Sequence, residues 1–98
     1  MDKTEHVRLL VEGMREAADT FEDGGLTLDR LVWGLKSRIS ALQNLAEHEW
    51  VEELRSSWWQ LEYVNAFWIE SGRSELSEDE RQQIAMALEE LRPLLVEY

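Results

Sequence analysis

Trp50-Val51-Glu52-Glu53-Leu54-Arg55-Ser56-Ser57-Trp58-Trp59-Gln60-Leu61-Glu62-Tyr63-Val64-Asn65-Ala66-Phe67-Trp68 is the stretch that decides the fold. Trp50, Leu54, Trp58, Leu61, Val64 and Trp68 recur at three- and four-residue intervals, the spacing that stacks side chains on one face of an α-helix. Ser71-Gly72 follows, and glycine takes the left-handed exit from a helix without steric penalty. This predicted third helix is the longest and most aromatic segment of the chain.

The same period runs outward in both directions. Towards the N-terminus, Leu28, Leu31, Val32, Leu35, Ile39 and Leu42 form the stripe of a second helix. Thr27 is placed as its N-cap, with Leu26 and Leu31 positioned as a hydrophobic staple. Before it, Val7, Leu10, Val11, Met14, Ala18 and Phe21 share one face of a first helix that starts at Thr4 and stops at Gly24-Gly25. Towards the C-terminus, Ser77-Glu78-Asp79-Glu80 is a capping box that opens a fourth helix carrying Ile84, Leu88, Leu91 and Leu95. Pro93 lies within that last pattern and lacks the N–H owed to Glu89, so a kink or restart is predicted there. Alternating strand patterns and Asn-Gly or Asp-Gly hairpin signals are missing. The prediction is all-α: a single domain over residues 1–98, built as a small antiparallel bundle of about four helices with short connections.

Composition limits the function. Of 98 residues, 44% are hydrophobic and 32% charged, the balance of a soluble globular chain. The 21 Asp and Glu against 10 Lys and Arg leave a net charge of -11, which repels phosphate backbones and anionic headgroups. Nucleic acid and membrane are therefore not expected as partners. Cysteine is absent, which removes disulfides, thiolate catalysis and Cys-ligated metals. The longest apolar run is five residues, Ile84 to Leu88, and the start Met1-Asp2-Lys3 lacks the pattern of a signal peptide, so a cytoplasmic location is expected.

Catalytic chemistry finds no support either. Only His6 and His48 are of the residue type suited to acid–base catalysis near neutrality, and both fall at helix starts. A dimetal bundle needs Glu-x-x-His on two helices, whereas Lys3 precedes His6 and Leu45 precedes His48. Gly-x-Ser-x-Gly elbows and phosphate-binding glycine loops are missing. No enzymatic activity, metal or cofactor is expected.

The informative feature is an excess of large apolar residues over core positions. Trp33 points away from the stripe of its helix, and Trp59, Tyr63 and Phe67 form a second stripe on the third helix. Two readings compete. A helix apolar on two sides is buried between two neighbours, with Trp33 meeting it across the bundle. Alternatively, the second stripe is a recognition face, since Trp and Tyr carry much of the energy of protein interfaces while acidic rims steer encounter. Glu52, Glu62 and Glu70 supply such a rim.

The remaining charges divide similarly. Arg8 to Glu12 and Arg15 to Asp19 are spaced as helical ion pairs. Three acidic groups outnumber the cations beside them in the sequence: Glu16, Asp19, Glu22 and Asp23; Glu47, Glu49, Glu52 and Glu53; and Glu75, Glu78, Asp79 and Glu80. A small chain that tolerates this self-repulsion is suited to a positively charged partner.

Trp50-x3-Leu54-x3-Trp58-Trp59-x-Leu61-Glu62-x3-Ala66, followed by Leu76-Ser77-x2-Glu80 and then Ile84, Leu88 and Leu91, resembles the small acidic helical immunity proteins of bacterial polymorphic and contact-dependent growth inhibition systems. The resemblance covers about Leu28 to Leu95 and is one of pattern, without an invariant motif. It implies a non-catalytic protein that binds the C-terminal toxin domain, often a nuclease, made by the same cell. Nuclease domains are commonly basic, so an acidic inhibitor is steered to them. The partner-binding residues expected on this reading are Trp33, Trp59 and Tyr63 as anchors and Glu52, Glu62 and Glu70 as partners of toxin Lys or Arg. The free chain is expected to be a monomer or weak homodimer. The alternative is a regulatory helical module that dimerises through Trp59, Tyr63 and Phe67 of the third helix.

Overall fold

The computed structural model describes residues 2–96; Met1, Glu97 and Tyr98 lie outside the described residues. It contains four helices: α1 (Lys3–Glu22), α2 (Leu28–Leu42), α3 (His48–Ser71) and α4 (Glu78–Val96). There is no strand among the described residues. Each helix packs on its neighbour in sequence, and α1 closes the ring less extensively against α4. Side chains that bridge α2 to α3 and α3 to α4 join the start of one helix to the end of the other, so these neighbours run antiparallel, whereas Arg92 and Asp19 join the C-terminal parts of α4 and α1.

Local signals place the helix ends. The Asp2 carboxylate accepts from the Glu5 amide at 2.8 Å, starting α1 one residue before the expected Thr4. The Thr27 hydroxyl accepts from the Arg30 amide at 3.2 Å, and Leu26 rests against the core beside buried Leu28 and Leu31. Gly24 and Gly72 take φ of 83° and 70°, the left-handed values for which glycine is suited. In the capping box, the Glu80 amide donates to Ser77 Oγ at 3.1 Å and the Ser77 amide donates to Glu80 Oε1 at 2.8 Å. Arg73 adds a third bond to Glu80 at 2.8 Å, so the α3–α4 turn converges on one buried carboxylate. That carboxyl is held at about 2, first by Arg73 and then by the Ser77 amide, against an ordinary value of 4.5.

The core is built from the expected stripes. Val7, Val11, Met14 and Ala18 of α1, the six apolar positions of the α2 stripe, Trp50, Leu54, Trp58, Leu61 and Val64 of α3, and Ile84, Leu88, Leu91 and Leu95 of α4 are buried. Two tryptophans also tie α3 to both neighbours. Trp58 donates its indole N–H to the Val32 carbonyl of α2 at 2.8 Å, and Trp50 donates to the Leu94 carbonyl of α4 at 2.9 Å. Trp68, expected on the same face, is only half-buried, and its indole nitrogen lacks a protein partner.

Pro93 does not end or restart α4, which continues to Val96. The missing N–H falls in the final turn and leaves free the carbonyl of Glu89, an exposed residue. The tail of α4 is held from outside: Leu94 O accepts from Trp50 and Leu95 O from the Arg15 guanidinium, supplying donors that a helix C-terminus otherwise lacks. No helix among the described residues is long and apolar enough to cross a membrane.

Trp58→Phe should destabilise the fold by about 2 kcal/mol in chemical denaturation, through the lost hydrogen bond and the void left by the smaller ring. Trp59→Phe, at an exposed position, should change it by no more than about 0.5 kcal/mol. Equal effects would contradict the assignment of the two rings. Glu80 contributes stability that is complete above the unfolded carboxyl value and is lost as pH falls from about 4.5 towards about 2. The melting-temperature gap between the wild type and Glu80→Gln should therefore close over that window. A gap that persists unchanged at acid pH would show that the ion pair is not responsible.

Candidate aromatic recognition face

Burial of one face of α3 leaves the opposite face in solvent. At about 100° per residue, Glu52, Ser56, Trp59, Tyr63, Ala66 and Glu70 fall on one stripe, and all are exposed. Trp59 is 58% exposed, Tyr63 72% and Phe67 61%. The two competing readings are thus separated: α3 does pack between two neighbours, but the second aromatic stripe is not what it packs with.

Trp33, 55% exposed on α2, belongs to the same surface. The Lys36 ammonium lies 4.8 Å from the centre of the Trp33 ring and 5.8 Å from that of Trp58. Trp58 in turn meets Trp59 edge-to-face at 4.9 Å. Cation–π and aromatic contacts therefore run from Trp33 through Lys36 and the inner Trp58 to Trp59.

The orientation of Trp33 is set from below. Its indole N–H donates to Asp29 Oδ1 at 3.1 Å, and the same oxygen accepts from the buried Asn65 amide of α3 at 3.1 Å. A ring held by such a bond loses less rotamer freedom when a partner covers it. On the other flank, Trp59, Tyr63, Gln83 and Met86 border an open cleft of about 350 Å³ between α3 and α4.

The acidic rim is less uniform than the sequence suggested. Glu52 and Glu70 are exposed near opposite ends of α3; Glu52 stands 3.8 Å from Arg55, and Glu70 has no ion pair among the described residues. Glu62 is half-buried on the α2 flank, with Oε2 shielded and unpartnered by protein. It is the least available of the three to a distant charge. Two of the three acidic groups are partly paired, one by a residue remote in sequence and one across the α3–α4 turn. Arg92 of α4 reaches Asp19 at 2.9 Å and Glu22 at 2.8 Å, and Arg73 holds Glu80. Arg8 pairs with Glu5 rather than Glu12, while the Arg15 guanidinium reaches the Leu95 carbonyl. Glu47, Glu49 and Glu53 are exposed and have no ion pair among the described residues.

Trp33, Trp59 and Tyr63 are therefore brought onto one surface with Glu52 and Glu70 near its ends, whereas Glu62 lies beside it. Sequence reasoning missed Met86, 62% exposed across the cleft from Tyr63. The signal was present: Met86 lies two residues from both Ile84 and Leu88, on the opposite side of α4 from their stripe. His6 and His48 are exposed at the starts of α1 and α3, His48 one turn before Glu52. Comparison with protein families, curated proteins and solved structures finds no match to this chain.

Proposed function

We propose that the chain is an immunity protein that binds and neutralises a cationic bacterial toxin domain, of nuclease type, by protein–protein contact. The observation that carries this reading is the exposed aromatic surface of Trp33, Trp59 and Tyr63 on a chain of net charge -11. Large exposed apolar groups at one place on a small acidic protein mark a contact site. Rigid aromatic rings supply contact area at low conformational cost, and carboxylates supply long-range attraction. The sequence resemblance to acidic helical immunity proteins points the same way. On this reading the chain acts in the cytoplasm of the toxin-producing cell, has no catalysis of its own, and sets carboxylates where the toxin would hold phosphates.

Homodimerisation through the same stripe is disfavoured by charge. Two copies would bring the carboxylates of one α3 against those of the other, with net charge -11 on each chain.

The test is binding to the C-terminal domain of any large exported protein whose gene lies directly upstream of this chain's gene. Affinity should fall as salt rises. Glu52→Lys with Glu70→Lys should slow association by about tenfold at low salt, with a smaller change in dissociation. Trp59→Ala should act mainly on dissociation. Association rates unchanged by charge reversal at low salt would defeat the steering argument, and absence of binding would defeat the function.

A further inference from the structure

The cleft beside Trp59 does not end at Met86. A second cleft of about 570 Å³, which reaches Phe67 and Asp79, shares Tyr63 and Gln83 with the first, so the two form one groove along the α3–α4 seam. From Trp59 to Phe67 the aromatic wall covers two helical turns, about 12 Å. We infer that this groove receives a cationic amphipathic helix presented by the partner protein. The inference rests on the proposed partner-binding role of this face and specifies how the partner enters it.

Backbone chemistry selects the helix. Most polar groups of the lining are already engaged, the Gln60 amide being donated to Glu90 at 2.8 Å and Arg73, Ser77 and Glu80 bonded to one another, which leaves the side chains of Gln83 and Asp79. An extended segment would bring its N–H and C=O groups onto an apolar wall without partners, whereas a helix satisfies its own. Anchors at positions i, i+3 or i+4, and i+7 of such a helix span about 10 Å, which matches the wall.

Charge selects its sign. Asp79 lines the far end without an ion pair among the described residues, and Arg73, the one cation lining either cleft, is neutralised by Glu80. Lysines or arginines flanking the apolar stripe of the incoming helix would face Asp79 and Glu70. A second copy of this chain would place acid against acid.

The probe is a synthetic peptide of about 18 residues, leucines at helical spacing and lysines elsewhere, compared with a peptide of the same composition in which the leucines alternate as in a strand. Measured by calorimetry at physiological salt, the helical pattern should bind at least about tenfold tighter. Phe67→Ala with Met86→Ala, both exposed positions, should abolish that advantage, while Leu9→Ala on α1 should leave it intact. Equal binding of the two peptides, or an advantage that survives the double variant, overturns the inference. So does light scattering that shows a dimer lost in the double variant, since the groove would then hold a second copy. A toxin domain that binds with affinity unaffected by the double variant defeats the groove alone. A toxin domain that fails to bind while the peptide result holds defeats the function alone.

Discussion

Two indole hydrogen bonds fix the roll of α3, and the rest of the structure depends on that roll. Trp58 donates to a carbonyl of α2 and Trp50 to a carbonyl of α4, so the central helix is tied on both flanks by groups that also fill the core. A helix apolar on two sides has no strong preference for which side to bury. Here the choice is made by directional bonds: turning α3 to bury Trp59 and Tyr63 would break both and carry the two core-filling indoles out to solvent. The exposed aromatic face is the consequence of satisfying the buried one.

The distribution of charge follows the same division of labour. Arg92 and Arg73, the cations with the clearest structural duties, are spent at the α1–α4 seam and the α3–α4 turn. The Arg92 pairs are exposed and add little stability singly, while Arg73, which lines the cleft beside Tyr63 and Phe67, has its charge offset by buried Glu80. What remains near that surface is dominated by carboxylates, with Lys36 held over two rings. An apolar surface in a negative field is suited to a partner of opposite charge, and a fixed Trp33 reduces the entropy lost on contact.

Much of this was legible from local sequence. The Thr27 cap, the Ser77–Glu80 capping box and the Gly24 and Gly72 exits are decided within a few residues, and all four appear where expected. The stripes of α1, α2 and α4 identified the core because each has one apolar side. The fate of Trp59, Tyr63 and Phe67 was not legible, because periodicity cannot tell which of two apolar sides of α3 receives a neighbour. Ion pairing escaped for a different reason: Arg92 meets Glu22 across 70 positions of chain and Asp19 across still more, so counting cations nearby in sequence overstated the free acid. Pro93 looked disruptive because the lost N–H is a local fact, whereas the bonds from Trp50 and Arg15 that hold the end of α4 are tertiary.

The most direct measurement is solvent exchange at the five indole N–H groups by NMR, in the free chain and with the cationic toxin domain bound. In the free chain, Trp50 and Trp58 should exchange slowly and Trp59 fast; on binding, Trp59 and Trp33 should become protected while Trp50 is unchanged. A Trp59 already protected in the free chain, or one untouched by a partner that binds, would contradict the assignment of α3's outer face as the recognition surface.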